Sequence, residues 1–309
     1  MEKNYIPFPS VIRIEPSSLC NLKCIHCPTG TIEMNRMIMS ENVFNNILNQ
    51  LKNNSEKINV VVMYHGGEPL LNNKFSHMVK QVKSLGIPFV KTVSNGMLLN
   101  DKLAEEIINS GLDSIEISLD GNSIEENSLI RRGCNGNKVI ENIKNLIKLK
   151  RRSNSDKPEI NISTTQFIRN GNTNINDYEI QSYLENNFRD EINEKDIKEI
   201  KICLAMEWPK MNIDYSLFSV YDELKTNCLN FCDNVFNTIT IRANGDVVPC
   251  CYDLTSEYII DNISNNDLQS IWNSEKYNNI RKSICDKDYI DLCNNCNIVK
   301  NKKFLIKKF

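Results

Sequence analysis

Short β-branched runs alternate with longer amphipathic stretches over the first two-thirds of this 309-residue chain. The runs are rich in valine and isoleucine and are bounded by glycine, proline or asparagine, which is typical of strands. The stretches between them carry apolar residues at helical spacing. The predicted strands are 10–16, 58–64, 88–93, 113–118, 159–165 and 197–204, and the predicted helices are 41–52, 73–85, 101–110, 136–150 and 177–188. This alternation predicts a parallel sheet with right-handed crossovers.

Six strand–helix units are too few to close an eight-unit barrel, so we expect an open, partial (β/α)6 barrel of the TIM type. Beyond about residue 206 the pattern changes. A hairpin is predicted with Asn244-Gly245 at its turn, followed by one helix over 268–284 and a cysteine-rich end. The predicted fold class is therefore α/β, with the barrel domain at 1–205 and a small α+β domain at 206–309.

Composition excludes several classes of protein. The chain has 37 basic and 39 acidic side chains and a net charge of -2, which gives no electrostatic footprint for nucleic acid. No apolar run reaches the roughly 18 residues of a membrane span, and the start, MEKNYIPFPS, does not resemble a signal peptide. We therefore expect a cytoplasmic protein that binds neither nucleic acid nor membrane.

The twelve cysteines fall into an N-terminal and a C-terminal group with a sparse middle. Disulfides are rare in the cytoplasm, and closely spaced cysteines there are more often metal ligands or catalytic groups. The N-terminal group is Cys20, Cys24 and Cys27. Structural zinc usually takes four ligands, whereas a [4Fe–4S] cluster accepts three protein thiolates and keeps one iron open. The alternatives are three unrelated cysteines or a zinc knuckle that lacks its fourth ligand.

Unusual residues also follow successive predicted strands. The Cys20–Cys27 loop follows the first strand, HGGEP (65–69) the second, SNG (94–96) the third and LDG (119–121) the fourth. In barrels of this type the chemistry takes place at the carboxyl ends of the strands. These motifs therefore predict one shared site.

The segment CNLKCIHC (20–27) resembles the signature loop of the radical S-adenosylmethionine (SAM) superfamily, C-x3-C-x-Φ-C, with His26 at the Φ position. HGGEP and SNG are similar to two further motifs of that superfamily, and the resemblance covers roughly 10–205. It implies that a cluster on the three cysteines cleaves SAM to methionine and a 5′-deoxyadenosyl radical, which abstracts hydrogen from a C–H bond. The residues implied at the SAM site are Gly66, Gly67, Glu68, Ser94, Asn95, Ser118, Arg132 and Asn170. Among them, Glu68 and the backbone of the two glycines are expected to accept the SAM ammonium.

The C-terminal cysteines resemble the pattern of SPASM and twitch auxiliary-cluster domains. Because no cysteine follows the closing Cys-x2-Cys pair, the match is to the shorter twitch domain with one auxiliary [4Fe–4S] cluster. The implied ligands are Cys232, Cys250, Cys293 and Cys296. Cys228 replaces one of them if the register is wrong by four residues, and a structural zinc ribbon satisfies the same four thiolates.

The resemblance implies two [4Fe–4S] clusters, SAM and an external electron donor such as flavodoxin or ferredoxin. We expect a small polar substrate, a sugar or cyclitol, because only about ten residues precede the first strand and leave no room for a peptide-leader-binding domain. Epimerisation or crosslinking of a ribosomal peptide is the alternative, and a non-catalytic iron–sulfur carrier is a more distant one.

Cys251 directly follows an implied cluster ligand. Two interpretations are open: a thiol packed on the other face of its strand, or a hydrogen-atom donor to the substrate radical. The second favours epimerisation. If the radical instead loses an electron and a proton, the product is oxidised, as in the oxidation of a cyclitol alcohol.

Overall fold

The computed structural model describes residues 6–169, 177–205, 208, 218–219, 228–294, 296–301 and 305–308. The strands of these residues are, in chain order, β1 (Val11–Ile14), β2 (Lys23–Cys24), β3 (Val60–Val62), β4 (Phe89–Ser94), β5 (Ser114–Ser118), β6 (Arg131–Arg132), β7 (Glu159–Gln166), β8 (Ile168–Arg169), β9 (Ile197–Leu204), β10 (Phe218–Ser219), β11 (Thr238–Ile241), β12 (Asp246–Val248), β13 (Asp261–Asn262) and β14 (Leu305–Lys308).

The helices are α1 (Pro28–Thr31), α2 (Glu41–Lys52), α3 (Phe75–Ser84), α4 (Asp101–Ile108), α5 (Ile124–Ile130), α6 (Gly136–Arg152), α7 (Asp177–Asn193), α8 (Asp233–Phe236), α9 (Leu268–Trp272), α10 (Glu275–Cys285) and α11 (Asp291–Asn294). Two short 3-10 helices are Ser55–Lys57 and Pro69–Leu71. All six strands and all five helices predicted for the first two-thirds of the chain are confirmed.

The chain forms two compact units. The first unit comprises Met1–Leu19, Met34–Val90 and Lys225–Lys302, and the second comprises Cys20–Glu33, Lys91–Leu224 and Lys303–Phe309. The predicted domain boundary at 205/206 falls at the start of a segment that lies outside the described residues, so it stays a prediction.

The first unit contains a sheet with strand order β13-β12-β11-β1-β3. Strand β1 is parallel to both β11 and β3, and β11 and β12 form the antiparallel hairpin that the sequence predicts. Gly245 at its turn has φ +89°, a left-handed conformation that glycine adopts without strain. Helix α2 begins where the Ser40 hydroxyl accepts a bond from Val43 N, and it buries Phe44, Ile47 and Leu51.

The segment 268–284, predicted to be helical, is helical, but it forms two helices, α9 and α10, with a break between them. Asn273 closes α9, and the Ser274 hydroxyl then accepts a bond from Tyr277 N and begins α10. A serine cap can begin a new helix even where the spacing of apolar residues in the sequence remains helical. Trp272 and Tyr277, on either side of the break, are both fully buried.

The second unit contains the parallel strands β4-β5-β7-β9, with β14 antiparallel to β9 at the edge. The strands bury alternate isoleucines, as the period of two in a strand requires; the fully or almost fully buried ones are Ile115, Ile117, Ile160, Ile162, Ile200 and Ile202. A short antiparallel pairing of β2 with β6 lies in this unit as well.

Within the described ranges, no helix is long and apolar enough to cross a membrane.

Candidate functional site

The cysteine loop of the second unit is held by backbone pairing. In the β2–β6 ladder Cys24 is opposite Arg131, and Ile25 N donates to Ile130 O over 2.9 Å. A tight turn follows, in which Cys27 N donates to Cys24 O over 3.3 Å. The chain thus presents the three cysteines from one loop of fixed backbone geometry.

The three sulfurs of this loop lie close enough to affect one another electrostatically. Burial raises the pKa of the Cys24 thiol to about 12, and the nearby Cys27 and Cys20 raise it further, while the Arg131 guanidinium opposes the rise. Thiolates crowded in a buried site are stabilised when they bind a positively charged centre. The loop therefore has the properties of a ligand set.

The SNG motif lies against the same loop. Asn95 Nδ2 donates to Asn21 Oδ1 over 2.8 Å and lies 3.9 Å from Cys20 Sγ. The Ser94 hydroxyl accepts a bond from Gly96 N over 3.0 Å, which fixes the turn at the end of β4. Ser94 and Asn95 are both buried. The structure therefore brings one predicted site residue, Asn95, to the cysteine loop.

A buried ion pair between Asp120 and Arg131 lies next to the cysteine loop, and it was not predicted from the sequence. Asp120 Oδ2 accepts a bond from Arg131 Nη1 over 2.7 Å, and its Oδ1 accepts from Thr165 N over 2.9 Å. His26 Nε2 lies 3.6 Å from the same carboxylate, and the His26 ring meets Phe167 edge-on at 5.4 Å between ring centres. Burial lowers the pKa of His26 to about 4, so the imidazole is neutral at neutral pH.

The remaining predicted residues of the SAM site differ in their surroundings. Ser118 ends β5 and is half-buried, opposite Ser163. Arg132 is exposed and lies opposite Lys23, whereas its neighbour Arg131 is the buried member of the pair. Asn170 lies outside the described residues. The roles of these residues toward SAM stay predictions.

The backbone of the HGGEP motif, in the first unit, is packed tightly. Gly66 is buried rather than exposed, and its N–H donates to Glu15 Oε1 over 2.9 Å. A Cβ atom on Gly67 would lie 2.3 Å from Ser17 O, so that only glycine fits this position. Gly67 therefore allows the motif to pack directly against Ser17, in the segment that precedes the cysteine loop.

Glu68 is almost fully buried, with 2% of its surface exposed. Its N–H donates to Leu19 O over 2.8 Å, and its Oε1 accepts from Leu70 N over 3.1 Å. The carboxylate thus begins the 3-10 helix Pro69–Leu71. The Glu68 side chain therefore has a structural role at the start of this turn.

Glu15 connects this motif to the C-terminal hairpin of the same unit. It is fully buried, and its Oε2 accepts bonds from Ala243 N over 3.0 Å and from Arg242 Nε over 3.4 Å. Burial opposes ionisation, but His65, Arg242 and the backbone N–H groups outweigh it and hold the pKa of Glu15 below its usual value. This contact was not predicted from the sequence, although a charged residue at the end of an apolar strand was a signal of it.

The C-terminal cysteines of the first unit form one group. Cys232 precedes α8, Cys250 and Cys251 follow β12, and Cys293 and Cys296 lie in and after α11. Burial raises the pKa of the Cys232 thiol to about 11 and that of the Cys293 thiol to about 12. The nearby Cys296 thiol adds to the rise in both. Cys251 and Cys293 act in the same way on Cys250.

Among the described residues, no three Cys, His, Asp or Glu side chains converge closely enough to hold a single metal ion. Cys228 contacts the Tyr289 hydroxyl, and after burial it is the main group that raises the pKa of that phenol. The thiols that act on Cys250 are those of Cys251, Cys293 and Cys296, and the choice between Cys228 and Cys232 as a ligand stays a prediction.

Comparison with known families assigns both parts of the chain. Residues 14–157 match the model of the radical SAM superfamily, and residues 232–297 match that of an iron–sulfur cluster-binding domain, SPASM. A curated relative, GTP 3′,8-cyclase of Lactiplantibacillus plantarum, is 27% identical over 254 residues, which cover 79% of this chain and 70% of the relative.

Two solved structures resemble the whole chain. The structure of BtrN in complex with AdoMet and 2-DOIA has a TM-score of 0.59 at 15% identity, with 94% of each chain covered. SuiB of Streptococcus suis, bound to the precursor peptide SuiA, has a TM-score of 0.66 at 20% identity, with 97% of this chain and 72% of SuiB covered. The predicted fold class, an α/β partial barrel with a C-terminal auxiliary domain, is confirmed.

Proposed function

We propose that this chain, which belongs to the radical SAM superfamily and carries a C-terminal SPASM domain, removes a hydrogen atom from a C–H bond of a small polar substrate. The observation that carries this proposal is the loop of Cys20, Cys24 and Cys27, held by the β2–β6 ladder and in contact with Asn95. A cluster bound there would supply the one-electron cleavage of SAM that yields a 5′-deoxyadenosyl radical. The chain itself would bind and orient SAM and the substrate and would exclude water from the site.

The residues of the cysteine loop fit such a cluster. Three thiols are the ordinary donor set when one iron is kept for another ligand. His26 Nδ1 is buried with no hydrogen-bond partner among the described residues, which is consistent with a polar group that faces a bound molecule. Arg131 places a positive charge beside Cys24, and this charge stabilises the ionised ligand.

For SAM we propose Gly66, Gly67, Glu68, Ser94, Asn95, Ser118, Arg132 and Asn170 as the contacting residues. The packing of Gly67 and the buried turn at Ser94 support the first two motifs as formed binding loops. Glu68 would accept the SAM ammonium through its carboxylate in a mostly dry environment, where a charge-assisted bond is strong.

We expect Glu68→Ala to weaken SAM binding by about 2–3 kcal/mol, roughly 30- to 150-fold, because a charge-assisted bond is lost. Glu68→Gln is the matched control, since its amide oxygen still accepts the bond from Leu70 N that shapes the turn. Equilibrium titration with SAM measures both variants. If Gln restores full affinity, the carboxylate only shapes the turn and does not bind the ammonium.

For the auxiliary site we propose one [4Fe–4S] cluster on Cys232, Cys250, Cys293 and Cys296. A structural zinc ribbon would use the same four thiolates, and the metal analysis described below separates the two. The SPASM match begins at residue 232, which supports Cys232 over Cys228 as the first ligand. The reductant would be a flavodoxin or a ferredoxin.

A sugar or cyclitol is our first choice of substrate. The likeness to BtrN, whose structure contains 2-DOIA, and to GTP 3′,8-cyclase supports a small molecule. Peptide modification is the second candidate, supported by the likeness to SuiB with its bound precursor peptide. A panel of cyclitols, aminosugars and peptides separates the two, because the true substrate accelerates 5′-deoxyadenosine formation from SAM.

We expect anaerobically reconstituted protein to contain about eight irons per chain and to form 5′-deoxyadenosine from SAM in the presence of dithionite. Iron and zinc analysis and chromatography of the nucleoside measure the two results. Protein with about four irons and one zinc would remove the auxiliary cluster from the proposal, and the absence of 5′-deoxyadenosine from fully loaded protein would remove the activity itself.

A further inference from the structure

Arg13 is a charged residue in the middle of a buried strand, and the function proposed above gives it no role. It lies on β1 with 8% of its surface exposed. Two of its guanidinium nitrogens, Nε and Nη1, are buried without a hydrogen-bond partner among the described residues. The guanidinium carbon lies 5.9 Å from the centre of the Tyr64 ring. A cation in this position is expensive unless an anion faces it.

The strand register places two side chains of the C-terminal hairpin, Thr240 and Val248, on the same face of the sheet as the Arg13 side chain. Arg13 is opposite Thr240 on β11, and Thr240 is opposite Val248 on β12. Residues directly opposite each other point to the same face. Strand β12 ends at Val248, and Cys250 follows it by two residues. The hydroxyl of Thr240, within this row, is also buried without a partner in the described part of the chain.

Among the residues that the structure describes, the groups that act most on the Arg13 charge are two thiols and a phenol. The guanidinium donates a hydrogen bond to the Cys251 thiol, and Tyr64 and Cys250 lie close enough to act on its charge. The cation thus lies next to one proposed ligand of the auxiliary cluster and next to the thiol that follows it. A four-thiolate iron–sulfur cluster is an anion and gains one further negative charge when it is reduced.

We propose that Arg13 sets the reduction potential of the auxiliary cluster by donating its two unpartnered N–H groups to sulfurs of that cluster. The inference rests on the auxiliary cluster of the proposed function. Hydrogen bonds to the sulfurs and nearby charge are the main controls that a protein has over such a potential. Because the Arg13 charge favours the more negative, reduced state, it raises the potential and makes the cluster easier to reduce.

The test is a redox titration of the auxiliary cluster, followed by electron paramagnetic resonance. The full chain is used with Cys20, Cys24 and Cys27 replaced by alanine, so that only the auxiliary signal remains. In this background we expect Arg13→Met to lower the equilibrium constant for reduction at least tenfold, which is about 59 mV for one electron. Arg13→Lys keeps the charge and is expected to shift the potential less.

Lys276→Met is the matched control, because it removes a cation of the same unit that is exposed to solvent. Screening by water and salt makes the effect of such a charge small, so we expect no shift. An unchanged potential in Arg13→Met overturns the inference and leaves the proposed function intact. If the full chain binds no auxiliary cluster, both the inference and the auxiliary cluster of the proposed function are wrong. Iron analysis distinguishes this result from an unchanged potential.

A second measurement does not depend on the stability of the variants. In protein labelled with 15N-arginine, the reduced auxiliary cluster should show a 15N coupling in pulsed electron paramagnetic resonance, because the N–H groups contact its sulfurs. The coupling should disappear in Arg13→Lys. Its absence from the labelled parent chain would contradict the inference even if Arg13→Met did not bind iron.

Discussion

Cys24→Ala is expected to abolish the formation of 5′-deoxyadenosine from SAM under reducing conditions. Cys24 is the buried, central member of the trio and the one that lies in the β2–β6 ladder against Arg131. Two remaining thiolates hold a three-ligand cluster poorly, and without the cluster no electron reaches SAM. The measurement is the amount of 5′-deoxyadenosine formed by anaerobically reconstituted protein, together with its iron content.

Two further variants make this result specific. Cys134→Ala removes another buried thiol of the same unit, one whose pKa burial raises and Arg131 lowers, and it should leave 5′-deoxyadenosine formation unchanged. Cys293→Ala should retain some SAM cleavage that is uncoupled from product, because that thiol belongs to the other group. If Cys24→Ala and Cys293→Ala behave alike, the division of the cysteines between two clusters is wrong.

The architecture could be predicted because its signals are local. Strands such as Ser114–Ser118 and Ile197–Leu204 are short, β-branched and bounded by turn residues, and helix Glu41–Lys52 has the predicted bounds. The spacing of the three N-terminal cysteines is also local, so that sequence alone could indicate a cluster-binding loop. When the ligands of a site come from one short loop, their spacing can be read directly from the sequence.

The supporting charges could not be predicted in the same way, because their partners are distant in the chain. Asp120 pairs with Arg131 through the fold, and the sequence gives no reason to prefer Arg131 over Arg132. Glu15 meets Ala243 across more than two hundred residues. A charged residue in an apolar strand signals a buried partner, but only the register of β1 with β11 identifies which one.

The fate of the substrate radical depends on which group meets it after hydrogen abstraction. One possibility is loss of an electron and a proton, which gives a ketone or an alkene. The other is transfer of a hydrogen atom from a thiol on the opposite face, which gives an inverted centre. An S–H bond is weaker than the C–H bond that it re-forms, so the transfer is favourable when the thiol is close. We propose Cys251 as that donor.

The position of Cys251 is consistent with this role. The thiol is half-buried, whereas Cys232, Cys250, Cys293 and Cys296 are buried. It acts electrostatically on both Cys250 and Cys296. A thiol that is reachable and also adjacent to the proposed cluster can donate a hydrogen atom and be returned to the thiol state by one electron and one proton. A thiol with only a packing role does not need to be accessible to the substrate.

Turnover of the true substrate in deuterated water distinguishes the two fates. Exchangeable S–H becomes S–D, so we expect epimerisation to place one solvent deuteron at the inverted carbon of the product. Cys251→Ala should lose that product while 5′-deoxyadenosine still forms, because the donor acts after the first abstraction. Cys251→Ser is the conservative control and should fail in the same way, since an O–H bond is too strong to donate its hydrogen. An oxidised product without deuterium, formed at full rate by Cys251→Ala, would instead identify a dehydrogenase and leave Cys251 without a catalytic role.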